Sequence, residues 1–260
     1  MSDFLERVVR TRRGRIEEAK RRRPEAFLRS TARPRPRGPD PLGAGKGFVV
    51  AEIKRASPSR GALGLDAAAA ARAALYARAG AGAVSVLREP DFFRGSLEDV
   101  EEAARVLSIP VLYKDFVVDP YQLLEARAAG ASWILLIVRL LGRDLKSYIR
   151  YAESEGLLPF VEVHDEEELG AALEAGARLV GVNARDLKTL EVDPETVRRL
   201  LPLLPSSVTA VAESGLTTPG EVREYRERGA RGFLVGEALM RSPDPAALLG
   251  AMVRAAEGGP

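Results

Sequence analysis

Five apolar runs of this chain end in a side chain able to move a proton or hold a polar group. Lys114 closes the run in VLYKDF, Glu52 and Lys54 close GFVVAEIK, Glu162 lies in LPFVEVH, Asn183 follows RLVGV, and Glu213 with Ser214 follows SVTAVA. A lysine inside an apolar strand must reach water, a counter-ion or a ligand. The adjacent Asp115 is one available counter-ion and a bound substrate is another. Glu52 and Lys54 are two apart, so on a strand they face the same way and form a proton-transfer pair. Burial lowers a lysine's pKa while a carboxylate partner raises it, which leaves open which proton moves. A ring of polar groups at strand ends is what an eight-stranded α/β barrel presents at its catalytic face.

Composition removes several other chemistries. With no cysteine there is no thiol nucleophile or thiolate metal site, and with His164 as the only histidine neither a Ser-His pair nor an HExxH zinc site can be built. Proton transfer falls to lysines and carboxylates. Lysine is scarce, six residues in all, and two of the six end predicted strands. Asn183 is the sole asparagine and Gln122 the sole glutamine, a bias that fits a thermophile or a GC-rich genome. No apolar stretch reaches the roughly 20 residues of a membrane span. The N-terminus is charged where a signal peptide would be apolar, so a soluble cytoplasmic protein is expected.

The elements that must position these residues alternate along the chain. Strands are predicted near 48–54, 83–87, 111–114, 133–138, 158–162, 179–183, 208–212 and 232–235. Helical stretches start near Asp66, Ser96, Asp119, Arg143, Asp165, Pro194, Pro219 and Asp244, many opened by Asp, Ser or Pro as helix caps require. Eight β and eight α units make a closed (β/α)8 TIM barrel. Ahead of it, residues 1–40 carry 13 Lys/Arg against 6 Asp/Glu. Phe4, Leu5, Val8, Val9 and Ile16 fall at helical spacing there, with Arg10, Arg12 and Arg13 read as part of a solvated face. Residues 32–41 are proline-rich and predict an extended connector. The GAGKG that follows lacks the spacing and the Ser or Thr of a Walker A loop.

AESGL after strand seven and GFLVGEALM around strand eight have the form of a barrel phosphate site. Gly215 and Gly236 let the backbone approach closely, and a short helix opening at Gly236 offers its amides to an anion. A phosphorylated substrate is expected.

EIKRASPSRG, EPDFFRGSLEDV, VLYKDFVVDPYQL, VEVHDEEEL, GVNARDL, AESGL and FLVGEALM, in this order and spacing, together resemble the indole-3-glycerol phosphate synthase family of tryptophan biosynthesis. The resemblance implies a (β/α)8 barrel over residues 46–260, with residues 1–45 as a helical extension and connector over its mouth. It implies a cofactor-free and metal-free reaction in which 1-(2-carboxyphenylamino)-1-deoxyribulose 5-phosphate closes its ring and loses carbon dioxide and water. Lys114 is then the acid on the ketone oxygen. Lys54, steadied by Glu52, is the acid of dehydration and touches phosphate, and Glu162 is the base or cation stabiliser. Asn183 and Arg185 face the anthranilate moiety, where a guanidinium fork suits the carboxylate. Glu213 and Ser214 line the sugar and phosphate end with Ser57, Gly215, Gly236 and the amide of Glu237. Phe93, Phe116, Leu135, Ile137 and Leu187 form the ring slot, although a residue of each of these kinds is more often plain core. His164 is read as structural or capping.

The expected partner is the phosphorylated anthranilate-bearing substrate, with no nucleic acid and no membrane, and the chain is compatible with acting as a monomer. One alternative is phosphoribosylanthranilate isomerase, whose cysteine base has no counterpart here. Another is a barrel that binds a phosphorylated ligand, or nucleic acid through its basic arm, without catalysis.

Overall fold

The strand-forming runs are short and almost continuously apolar, the pattern of parallel strands covered on both faces. In a computed structural model describing residues 4–31, 45–57, 61–62 and 68–259, eight of them close into an all-parallel barrel. The strands are β1 (Phe48–Ile53), β2 (Ala83–Leu87), β3 (Val111–Lys114), β4 (Trp133–Ile137), β5 (Leu158–Val163), β6 (Leu179–Asn183), β7 (Thr209–Glu213) and β8 (Gly232–Val235), each beside its neighbour in sequence, with β1 pairing β8 to close the ring. All eight predicted strands are present. Val138, expected to end the fourth, instead opens a one-turn helix.

Alternation along each strand separates two apolar layers. Phe48 and Val50 of β1, Leu112 of β3, Trp133 and Leu135 of β4, and Phe160 of β5 pack together in the barrel interior. The intervening Val49, Ala51, Tyr113, Ile134 and Val161 pack outward against the helices. The same period of two carries the interior side of β1 on to Glu52, of β3 to Lys114, of β5 to Glu162, of β6 to Asn183 and of β7 to Glu213. The polar ring is therefore the uppermost interior layer, placed there by strand periodicity.

Helices α1 (Phe4–Arg22) and α2 (Glu25–Ser30) precede the barrel. Around it run α3 (Ala69–Arg78), α4 (Leu97–Val106), α5 (Tyr121–Ala128), the single turn α6 (Val138–Leu141), α7 (Leu145–Ser154), α8 (Glu166–Glu174), α9 (Pro194–Leu200), α10 (Pro219–Glu227), the short α11 (Glu237–Arg241) and α12 (Pro245–Glu257). Three open on predicted caps, Ser96, Asp165 and Asp244, while Asp193 and Thr218, one residue before the predicted Pro194 and Pro219, cap the other two; each of the five accepts a backbone N–H from the first turn. The connector at 32–41 and the helix start expected near Asp66 lie outside the described residues. Among the described residues no helix is long and apolar enough to cross a membrane.

Phe4, Leu5, Val8 and Ile16 of α1 are buried, as their spacing requires. Arg12, expected on the solvated face, is fully buried as well. Positions 8, 12 and 16 are one helical stripe, so the arginine shares the face that Val8 and Ile16 press onto the barrel. Its Nη2 donates to Asp115 Oδ2 at 2.6 Å. Other cations of this arm also meet barrel carboxylates, Arg15 with Asp91 at 2.7 Å and Lys20 with Asp119 at 2.7 Å. Such exposed pairs contribute only about 0–1 kcal/mol each, so the apolar stripe and the buried Arg12 hold α1 in place.

Candidate active site

The C-terminal ends of the strands enclose a cavity of about 900 Å³. Lys114 stands in its wall with its Nζ 2.8 Å from Glu213 Oε2 and 3.4 Å from Glu162 Oε2. Asp115 is not its counter-ion: neighbouring strand residues point to opposite faces, and Asp115 turns outward to Arg12, Gln122 and Tyr113. Burial pushes the Lys114 ammonium down, but Glu213, Glu162 and Glu52 outweigh it and hold the pKa above the ordinary lysine value. The group is therefore a cation at neutral pH.

The two carboxylates sharing this ammonium differ. Burial pushes Glu162 up, yet Lys114, His164 and Asn183 together bring it below the ordinary glutamate range. Burial also pushes Glu213 up, and the attraction of Lys114 does not offset this against the charge of Glu162, so Glu213 stands above that range. Like charges so close favour ionisation of one and protonation of the other. Gly181 makes the arrangement possible, because a Cβ there would overlap the Glu213 carboxylate and the Phe160 ring.

Lys54, one residue beyond β1, places its Nζ 2.7 Å from Glu52 Oε1, so the pair does face the barrel mouth. Burial raises Glu52, but Lys54 and Lys114 bring it below its ordinary value. A Cβ at Gly236 would overlap Glu52 Oε1 and lie 3.0 Å from Lys54 Nζ, so the turn after β8 is in close contact with this ion pair. Asn183 Oδ1 accepts from Ser214 Oγ at 2.7 Å and from the Arg185 amide at 2.9 Å. Ser214 holds a left-handed backbone, φ 67°, an uncommon state for serine that aims its hydroxyl at Asn183.

An apolar wall faces these groups. Phe93, Phe116, Leu135, Ile137 and Leu187 all line the cavity, as do Arg185, Gly215 and Glu237. Ser57 does not: it lies in a two-residue strand paired antiparallel with Gly61–Ala62, its Oγ buried and without a partner among the described residues. Leu190, Val192, Thr217, Leu234 and Arg241 are among the further lining residues and carried no strand-end signal. The Phe93 loop is shaped from beneath by Glu89, whose carboxylate accepts the amides of Asp91, Phe92 and Phe93 at 2.7–3.0 Å. Phe4 of α1 packs edge-on against Phe92 and Phe116, with ring centroids 5.3 and 6.4 Å away, so the N-terminal helix reaches the rim.

Behind Lys114 lies a buried polar knot. Tyr113 donates to Glu125 Oε2 at 2.6 Å, Arg88 forks onto both Glu125 oxygens at 3.0 and 3.1 Å, and Gln122 donates to Asp115 and to the Phe116 carbonyl. Gln122 Oε1 also accepts the Val118 and Asp119 amides. These bonds clamp the end of β3 and fix the direction from which Lys114 enters the cavity.

A closed parallel barrel whose mouth holds two ammonium–carboxylate clusters opposite an apolar slot is an α/β-barrel enzyme built for acid–base chemistry on a substrate with an aromatic part. A sequence model of indole-3-glycerol phosphate synthase matches residues 5–252. Indole-3-glycerol phosphate synthase of Parafrankia sp. (strain EAN1pec) is 52% identical over 226 residues, covering 84% of each chain. That of Rhodococcus opacus (strain B4) is 50% identical over 80% of this chain and 77% of its own. The chain belongs to the indole-3-glycerol phosphate synthase family. Its fold is also that of a solved 3-hexulose-6-phosphate synthase, with TM-score 0.66 at 15% identity, covering 80% of this chain and 99% of the other. Thiamine phosphate pyrophosphorylase from Pyrococcus furiosus is similar too, with TM-score 0.59 at 17% identity over 82% of this chain and 96% of the other.

Proposed function

We propose that Lys114, held between Glu162 and Glu213, is the first acid of the family's reaction. That reaction makes the chain an indole-3-glycerol phosphate synthase, a carbon–carbon lyase of tryptophan biosynthesis. The ring carbon bearing the carboxylate of 1-(2-carboxyphenylamino)-1-deoxyribulose 5-phosphate bonds to the sugar ketone carbon, and the ketone oxygen takes a proton from Lys114 Nζ. The ring nitrogen becomes an iminium, the carboxylate leaves as carbon dioxide, and its electron pair neutralises the nitrogen. The hydroxyl then departs as water with a proton from Lys54, while the adjacent ring carbon yields a proton to Glu162. The iminium is itself the electron sink, so the sequence of steps requires neither metal nor cofactor.

The ion pairs support this order. A lysine protonated by its neighbours is ready to donate, and a carboxylate held anionic is suited to stabilise the iminium and accept the later proton. Arg185 and Asn183 receive the anthranilate carboxylate, with the ring between Phe93, Phe116, Leu135, Ile137 and Leu187. The phosphate is assigned to Lys54, Ser214, the backbone at Gly215 and Gly236, and the amide of Glu237. Ser57, in the short strand after β1, is assigned to the same end. Residues 1–45 are taken as an extension over the mouth and 46–260 as the catalytic barrel. A cytoplasmic location is taken from the biosynthetic activity, and the chain is taken to act as a monomer.

The observation that carries the reading is the Lys114 ammonium between two buried carboxylates, facing an aromatic slot. Purified protein mixed with the substrate, without added metal, is expected to develop the fluorescence of the indole product. Tight substrate binding with no fluorescent product would overturn the assigned roles.

A further inference from the structure

The single histidine of the chain lies between two carboxylates, one of them in the active site. His164 follows β5 directly, and its side chain is 4% exposed. On one side Nδ1 is 2.9 Å from Glu168 Oε2. On the other, Nε2 is 3.3 Å from Glu162 Oε1, a close charge contact and not an in-line hydrogen bond. The Oε2 of Glu162 is the atom that faces Lys114, so the carboxylate is gripped on one oxygen by Lys114 and on the other by His164.

The far carboxylate is fixed in turn. Glu168, at the first turn of α8, accepts the His164 amide at 2.9 Å and takes Arg139 Nε on its other oxygen at 2.6 Å. Arg139 also approaches Asp165 at 3.3 Å and Asp186 at 3.8 Å. A neutral imidazole donates from one nitrogen only and would turn a lone pair toward a carboxylate on the other side. The imidazolium has a proton for each.

We propose that His164 is a positioning residue, an imidazolium that fixes the orientation and the negative charge of Glu162 for its part in the reaction. This rests on the assignment of Glu162 to the reacting centre. The surroundings agree: burial pulls the imidazole down, but Glu162 and Glu168 raise its pKa to about 9, so it is charged at neutral pH and loses that charge only in the alkaline range. The charged groups facing this unit are Glu162 on β5, Glu168 on α8, Arg139 on α6, Asp186 after β6, and Lys114 across Glu162. Deprotonation of His164 removes one of the two grips on Glu162, and turnover is expected to fall as pH rises through that step.

One histidine makes the test unambiguous. Proton NMR of the imidazole C–H signals in the intact protein is expected to show a titration at least about one unit above the ordinary value of ~6.5, moved down by at least one unit in Glu162→Gln. A titration at or below that ordinary value, or one indifferent to Glu162→Gln, overturns the proposal whatever the protein turns over. Failure of turnover with the NMR result as expected would instead count against the catalytic assignment of Glu162. In His164→Asn, kcat is expected to fall at least ~10-fold, the scale of losing one close charge contact to a reacting carboxylate, with KM held and the alkaline limb lost. An unchanged kcat and pH profile in that variant also overturns it.

Discussion

Replacing Lys114 by methionine keeps most of the side-chain volume and removes the charge that two carboxylates share. The ammonium lies 2.8 Å from Glu213 and 3.4 Å from Glu162. At an effective dielectric constant of ~20 the gross attractions are roughly 6 and 5 kcal/mol. Against them stands a desolvation penalty of several kcal/mol for each buried ion. Without the cation, two buried carboxylates face one another, and Glu213, already raised by burial and by Glu162, takes up a proton. Its folded pKa then lies still further above that of the unfolded chain. A raised carboxyl pKa leaves stability intact below the unfolded value and removes it as pH rises through the folded one. The deficit relative to wild type is therefore greatest at alkaline pH and shrinks toward pH ~5. Stopped-flow or continuous fluorescence should show kcat down at least ~10²-fold, with KM within about threefold of wild type. Differential scanning calorimetry should show a midpoint deficit at pH ~5 no more than half that at pH ~8. A wild-type kcat would refute the general-acid role, and a deficit that grows on acidification would refute the shared-charge account.

Gly236→Ala puts a methyl group into the Glu52–Lys54 pair. Overpacking of this kind costs about 1–3 kcal/mol, so a lower Tm and a raised KM for the phosphorylated substrate are expected, and wild-type values of both would contradict the close approach. Arg12→Met removes the nearer cation of buried Asp115 and leaves Arg88 at 3.8 Å, so the loss read in denaturant melts should fall below the roughly 3–5 kcal/mol of a fully uncompensated buried charge. The double variant with Asp115→Asn should recover at least half, and a single variant as stable as wild type would show that Arg12 does not anchor α1. Arg185→Ala should raise KM ~10- to 100-fold with kcat nearly held, because its carboxylate partner is present in the ground state. A fall in kcat at unaltered KM would mean that the guanidinium acts on the transition state instead.

Much of this site was legible before folding because it follows from local periodicity. A side-chain period of two carries apolar interior positions to polar ones at the strand ends, so Glu52, Lys114, Glu162, Asn183 and Glu213 can be placed on one face of their strands from the sequence alone. Alternating helices, opened by Asp, Ser or Pro, imply the barrel that gathers them. Even the burial of Arg12 had a signal, its place on the stripe of Val8 and Ile16, which its charge obscured.

Partnership could not be read the same way. Lys114 and Glu213 are 99 residues apart and meet only because the barrel closes, whereas Asp115, next in sequence, points to the other face. His164 reads as a cap until the turn after β5 brings Glu168 back against it and leaves its other nitrogen on Glu162. The sequence by itself determined the barrel, the chemistry its residue types can perform, and the strand ends that carry them. Which charges pair, which carboxylate stays ionised and which arginine is buried were decided by tertiary structure, because those depend on distances and desolvation that exist only once remote strands stand side by side.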